Sequence, residues 1–303
     1  MAAEPLTYPA GSPSVSGANI TLDWLLANPK RVTRVISDLM LTNYYVDKVF
    51  APAGDITGGA VVYDQATGNE LFSNRDVERV EPGAEFPIVA FDRGNPYTAQ
   101  VEKYGGKFPV TDEARRRNQT GRVNRALLQL SNTIVRKVQT RALAELAAAI
   151  TANSRTASGI GWATAAALTS ANRAPTTTPV NDLTNVEKSV ATTELGYQYN
   201  YAIMNPQEWR NFRLAAGGDS GTARELLADS GINDVWVTNR KTAGTVYWLA
   251  QQQVGELGYE VPLTTETWRD PEGAQQDWFQ SSILPVVYVT DPFAILETTG
   301  HGA

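Results

Sequence analysis

The sequence predicts an α+β fold, and three features carry that prediction. A helical periodicity runs through residues 111–153, much longer than any other single pattern. Before it, short alternating segments flank a long polar excursion at residues 64–92. After residue 180, brief apolar strands alternate with helical segments, and the chain closes on two further β segments. The length of 303 residues suits one large domain or two small ones. A hydrophobic share of 42% is ample for a core, while the charged share of 19% falls below the roughly 25% of an average soluble domain. A surface of low charge is what a chain covered by neighbours would show.

Composition removes several chemistries. There is no cysteine, hence no disulfide framework, zinc-thiolate site or thiol nucleophile. The one histidine, His301, stands two residues from the end. On that position no histidine acid or base is expected in the fold interior, and neither a Ser-His-Asp triad nor a two-histidine metal site is expected. No apolar run approaches the roughly 18 residues that cross a bilayer. Residues 1–19 lack the basic and apolar blocks of a signal peptide. The net charge of −6 argues against nucleic-acid binding over the whole surface.

Taken in order, residues 1–19 carry Pro5, Pro9 and Pro13 among small residues and read as an extended arm. Residues 20–26 form a short amphipathic helix that Asn28-Pro29 stops. A second helix is expected over 30–41, with Val32, Val35, Ile36, Leu39 and Met40 on one face. Residues 60–63 are a short strand. The excursion 64–92 turns at Thr67-Gly68-Asn69 and is punctuated by Pro82-Gly83 and Pro87, and alternation resumes at 97–104. A connection of this length with hairpin character projects from the body of a fold.

Thr111 can accept the first free amides of the following helix, and Asp112 and Glu113 suit its positive end. Val123, Leu127, Leu130, Ile134 and Val138 recur at spacings of three and four, which is one helix face. Unbroken from Thr111, the helix would run about 60 Å at roughly 1.5 Å per residue, with Gly121 the position to kink or split it. Residues 154–179 read as a linker or boundary. Residues 182–196 are helical, 201–204 a strand, and Asn205-Pro206 caps and starts another helix. Gly217-Gly218-Asp219-Ser220-Gly221 reads as a mobile loop. Segments 234–238 and 245–249 read as strands, 259–268 alternates weakly, and 283–289 and 294–297 are the closing β segments.

Three local motifs carry no chemistry. Gly218-Asp219-Ser220-Gly221 looks like the nucleophile motif of chymotrypsin-like proteases, but its serine would need a general base. Gly159-Ile160-Gly161 follows a helix and not a strand, unlike a dinucleotide loop. Asn19-Ile20-Thr21 and Asn118-Gln119-Thr120 are glycosylation sequons without a signal peptide to use them.

Charge patterning says more. The excursion 64–92 holds seven carboxylates, Asp76, Glu78, Glu81 and Glu85 among them, against Arg75 and Arg79, a net of −5. Residues 112–141 hold Arg115, Arg116, Arg117, Arg122, Arg125, Arg136, Lys137 and Arg141 against Asp112 and Glu113, a net of +6. An acidic projecting loop and a basic helix in one chain can be complementary surfaces between identical subunits. Two other readings stand beside it: solvated faces without a partner, and a basic helix against enclosed nucleic acid.

These features come in a telling order. The arm precedes the strand 60–63 and the long loop. Pro109-Val110-Thr111-Asp112-Glu113-Ala114 opens the long helix. The junction Tyr201-Ala202-Ile203-Met204-Asn205-Pro206-Gln207-Glu208-Trp209 and the two closing β segments follow. In this order and spacing the chain resembles tailed-phage major capsid proteins of the Hong Kong 97-like fold, nearest to those of phages infecting actinobacteria. The resemblance covers nearly the whole chain from about residue 20. Its most specific local match is Met204-Asn205-Pro206 followed by Trp209.

The resemblance implies an arm and short helices at 1–57, an extended loop with flanking strands at 58–108, and a spine helix of a peripheral domain at 109–157. It implies an axial domain at 158–275, with 276–303 returning to the peripheral domain. The acidic loop of one subunit would overlie the basic helix of the next. The interface candidates are Asp76, Glu78, Glu81, Glu85 and Phe86 on one side, and Arg115, Arg116, Arg117, Arg122 and Arg125 on the other. Phe86, Ile88, Phe91 and Trp24 would add apolar burial. The implied partners are copies of the chain in hexamers and pentamers, a separate scaffolding protein, a portal and enclosed double-stranded DNA, with a decoration protein left open. No cofactor, metal, catalysis or membrane is expected. The place would be the virion, after assembly in the host cytoplasm. Residues 64–97 contain no lysine, so the loop cross-link of some members is not expected. Two alternatives remain. One is an encapsulin-type compartment shell. The other is a carboxylate-based hydrolase using Glu256, Glu260 or Glu266.

Overall fold

The computed structural model describes residues 15–302, apart from 17–18, 21, 42–43, 69–76, 90–93, 169–174, 219, 271 and 274. Two short strands, β1 (Val15–Ser16) and β2 (Asn19–Ile20), pair antiparallel. Helix α1 (Leu22–Ala27) ends at Asn28, and α2 (Pro29–Leu41) begins on a proline whose missing N–H costs nothing in a first turn. Val32 and Ile36 of α2 are fully buried, but Val35 is 44% exposed, so the apolar stripe is narrower than its sequence suggests. The side chains of Trp24, Leu39 and Met40 lie outside the described residues. The single-turn helix α3 (Val46–Val49) and the two-residue β3 (Ala51–Pro52) are too short to leave a readable period.

Strands β4 (Ala60–Gln65) and β5 (Asn95–Gln100) form an antiparallel hairpin whose far end is the long excursion. At its neck a Cβ on Gly94 would lie 2.3 Å from the Gln65 carbonyl oxygen, so only glycine fits there. The chain then enters β6 (Tyr104–Thr111), whose last residues, 109–111, read in the sequence as the approach to a helix.

The expected single spine is two helices. α4 (Asp112–Arg116) is capped by Thr111, whose hydroxyl accepts the Ala114 N–H at 3.3 Å. Asn118 then takes a left-handed conformation with φ of 48°, and α5 (Thr120–Ala152) follows. The break falls at Asn118 and not at Gly121, because asparagine tolerates this conformation and its side chain has work there. Its Oδ1 accepts the Leu22 N–H at 2.9 Å, tying α1 to the break. With 33 residues, α5 is about 50 Å long. It buries Val123, Leu127, Ile134 and Val138 as the periodicity requires, against α2 and Phe279.

The expected linker at 154–179 contains structure. β7 (Thr156–Ser158) joins a sheet, and α6 (Trp162–Ala167) buries Trp162 completely. Small-residue composition hid an anchor that one tryptophan provides. After α7 (Pro179–Thr193), β8 (Tyr201–Met204) is buried throughout, and Asn205 caps α8 (Pro206–Ala215) by accepting the Gln207 N–H at 3.0 Å. The expected mobile loop is also shorter. Gly217 and Gly218 take positive φ, and from Ser220 the chain is already α9 (Ser220–Asp229).

β9 (Asp234–Val237) and β10 (Thr245–Leu249) lead to β11 (Glu256–Arg269), β12 (Gln276–Tyr288) and β13 (Ile295–Thr299). One sheet has four strands in the order β3-β11-β12-β6, and another has five in the order β7-β13-β10-β8-β9. β11 alternates only weakly because its register with β12 shifts twice, between Tyr259 and Val261 and between Val261 and Thr264. The two closing segments part company. β12 pairs with β6 beside α5, while β13 pairs with β10 and β7 in the five-stranded sheet.

His301 corrects the expectation drawn from its terminal position, for it is fully buried. Its ring lies 3.9 Å from that of Trp162. Nδ1 faces the Ile160 carbonyl at 3.0 Å, and Nε2 faces the Thr298 hydroxyl at 2.7 Å. A Cβ on Gly159 would sit 2.2 Å from the ring, so the Gly-Ile-Gly run there serves close packing. Asp182 completes the cluster. It accepts the Trp162 indole N–H at 2.6 Å and the Ile160 N–H at 3.0 Å. Burial lowers the His301 pKa to about 4, and burial raises Asp182 to about 6 against those hydrogen bonds. Thr298, His301 and Asp182 stand in the order of a hydrolytic triad, but all three are at most 3% exposed. The Thr298 hydroxyl already accepts the Trp248 indole N–H at 2.8 Å. The cluster is a core fastener that holds the end of the described chain against α6 and α7.

Candidate inter-subunit surface

The hairpin is rooted firmly and bare at its far end. At the root Tyr63 packs on Tyr288 with ring centroids 4.8 Å apart, and Ile56, Val286 and Tyr288 form a small cluster under Ala99 and Val101. Glu102, just past β5, pairs with Arg141 of α5 at 3.0 Å. Toward the far end three large apolar side chains are mostly exposed: Val77 is 79% exposed, Phe86 80% and Ile88 85%. Glu78, Glu81 and Glu85 are exposed among them. Asp76, with Glu70, Arg75, Phe91 and Asp92, lies outside the described residues. Large apolar groups standing together in water mark a contact surface.

The basic side divides. Arg115 is engaged within its own chain, donating to Asp277 at 3.3 Å. Arg269 bridges Asp112 and Asp277 beside it, and its hydrogen bond holds the Asp112 carboxyl below the usual range. This network fixes α4 to the ends of β11 and β12. Arg116, Arg117, Arg122 and Arg125 point to solvent. Among the described residues, neither these four nor Glu81 and Glu85 have an ion-pair partner in the chain.

The carboxylates weighed for a hydrolase are strung along one strand. Glu256, Glu260 and Glu266 are four and six residues apart on β11, roughly 13 and 20 Å of extended chain. A glycosidase pair needs about 5–10 Å. Glu256 also accepts the Tyr288 hydroxyl. Among the described residues, no group of three His, Asp or Glu side chains is placed to hold a metal ion, and no helix is long and apolar enough to cross a membrane.

The sequence model of one protein family, described as phage capsid protein, matches residues 96–298. Among solved structures, the chain is similar to the virus-like particle from Pyrococcus furiosus, with a TM-score of 0.60 and 14% identity over 89% of this chain and 98% of that one. The capsid of the cyanophage P-SCSP1u gives a TM-score of 0.56 at 13% identity, covering 85% and 88%. That of Mycobacterium phage Bobi gives 0.55 at 11%, covering 88% and 91%. At such identities the likeness is one of fold, and it is the α+β capsid fold expected from the sequence. A comparison with curated proteins finds no match.

Proposed function

The chain belongs to the phage capsid protein family, whose members are structural proteins, and on that premise we propose that it is the major capsid protein of a tailed double-stranded DNA phage. Copies assemble as pentamers and hexamers into a closed icosahedral head, and the chain performs no catalysis. The observation that carries this reading is the projecting hairpin with Phe86 and Ile88 bare at its far end. A subunit alone gains nothing from such a loop, whereas a shell of subunits buries it. Its partners are further copies, a separate scaffolding protein and a portal, in a virion assembled in the host cytoplasm.

In this reading α5 with the four-stranded sheet is the peripheral unit. The five-stranded sheet with α6–α9 is the axial unit, and it takes in Ile295–Thr299, which pairs there and not with β12. This reading assigns Glu256–Arg269 to the peripheral unit and Ile295–Thr299 to the axial one, where the resemblance implies axial 158–275 and peripheral 276–303. The acidic loop of one subunit lies along Arg116 and Arg117 of the next and stops short of Arg122 and Arg125. Each exposed pair is worth only about 0.2–1 kcal/mol, so the charges set register and the apolar groups supply adhesion.

Replacing Arg116 and Arg117 with glutamate should block assembly while the subunit stays folded, because among the described residues neither has an ion-pair partner in its own chain. Arg115 is left intact in that test, since its bond to Asp277 would confound it. Normal shells from the variant would remove these two arginines from the interface. The absence of lysine from residues 64–97 gives a second expectation. Mature particles should run as a monomer band on a denaturing gel, and a ladder of covalent multimers would contradict it. A shell without a genome, of the encapsulin type, is the second reading, favoured by the similarity to a structure described as a virus-like particle. The neighbouring genes separate the two: portal, protease or scaffold for a phage, a cargo enzyme for a compartment.

A further inference from the structure

One side of α5 presents cations without a single carboxylate. No acidic residue occurs between Glu113 and Glu145. At about 100° per residue, Arg122, Arg125, Gln129, Thr133, Arg136 and Lys137 share one sector of the helix. That sector is opposite the buried Val123, Leu127, Ile134 and Val138, and its four cations are exposed. From Arg122 to Lys137 the stripe is about 22 Å long.

Beside its C-terminal part lies a groove of about 460 Å³ between α5 and the edge of the five-stranded sheet, lined by Asn132, Gln139, Thr238, Asn239 and Arg240 among others. Arg240 donates to the buried Gln139, which fixes its guanidinium there. Burial lowers the Arg240 pKa, and repulsion from Arg136 lowers it further, so the two cations are near neighbours. Among the described residues neither arginine has a carboxylate partner. Like charges held together beside hydrogen-bond donors, with no acid to balance them, attract an anion.

We infer that this stripe of α5, extended by Arg240, is a contact surface for the phosphate backbone of duplex DNA, bound without regard to sequence. The inference rests on the shell reading and assigns this stripe to the genome side. A line of point charges fits a linear polyanion, and the side-chain amides of Gln129, Asn132 and Asn239 can donate to phosphate oxygens between them. Single strands would need several open aromatic platforms in succession, and the groove offers one half-buried ring, Tyr45, stacked on the buried Trp236. A neighbour's acidic loop would bring Phe86 and Ile88 with it, and the stripe carries no large apolar side chain to receive them.

The test measures binding of a short duplex of arbitrary sequence to the full chain by fluorescence anisotropy over a range of salt. In R136Q/K137Q/R240Q the affinity at about 0.1 M salt should fall at least tenfold. The slope of log K against log salt should become shallower by about 2–3, since each phosphate contact contributes about 0.9. R136K/R240K should keep the slope, and shells of the triple variant should form normally. Unchanged affinity and slope in the triple variant would overturn the inference. So would lost assembly with undiminished DNA binding, which would assign the stripe to a neighbouring subunit. Unassembled wild-type subunits that go on to form shells yet bind no duplex beforehand would overturn this inference alone. A chain that never assembles, with or without its scaffold, would overturn the reading beneath it.

Discussion

Replacing Phe86 and Ile88 together with aspartate should abolish shell assembly and leave the melting temperature of the isolated subunit unchanged. Both side chains are at least 80% exposed, so the folded subunit has almost no contact energy to lose from them. Burying each against a neighbour is worth about 1.5–3 kcal/mol, and the substitution replaces that gain with the cost of desolvating a carboxylate. The loop's Glu81 and Glu85 would then stand beside two more negative charges, weakening any pairing with a basic partner. Sedimentation velocity should show subunits or small oligomers in place of shells. A fall of several degrees in melting temperature would show that the loop packs on its own subunit. Normal shells would remove Phe86 and Ile88 from the interface.

The largest effect on stability is expected at Trp162. Trp162→Ala should cost about 5 kcal/mol or more. Truncating a buried tryptophan costs about 3–5 kcal/mol, and a lost hydrogen bond to a charged partner about 1.5–3. The indole packs on His301 and edge-on to Phe212 at 5.0 Å, and its N–H is a short donor to Asp182. A loss of that size rivals the whole stability of many domains, so the variant should be largely unfolded or insoluble.

Trp162→Phe keeps most of the packing and isolates the hydrogen bond. Asp182 already has a folded pKa raised to about 6 from 3.8, so stability present at low pH is lost as pH rises through 6. Removing a donor that favours the carboxylate raises that pKa further. The deficit of the phenylalanine variant relative to wild type should therefore be larger at pH 8, where wild-type Asp182 is ionised, than at pH 5. Denaturant unfolding at the two values checks this. An equal deficit at both would mean that the indole N–H does not support the ionised carboxylate.

Where the sequence was informative, one physical signal dominated. Four buried positions on α5 follow from a single period, and the Asn205-Pro206 cap follows from residues that satisfy free amides at one known place. The break at Asn118 was not legible, because it depends on a backbone partner, Leu22, that is distant in sequence. The parting of β12 and β13 was not legible either, since strand pairing across long separations leaves no mark on local alternation. His301 misled for the opposite reason. Nearness to a terminus is a weak guide to burial when a strand paired on both sides ends two residues earlier. Of the candidate surface, the acidic and basic composition was visible from charge counts. That Arg115 is spent on Asp277, while Arg116 and Arg117 are exposed, required the fold.

The central claim is that this chain closes into a shell, and negative-stain microscopy of the purified chain, with sedimentation velocity on the same sample, tests it most directly. The account predicts closed particles, or rings of five and six subunits, alone or with the scaffolding protein encoded beside it. A chain that remains a monomer under both conditions would contradict it.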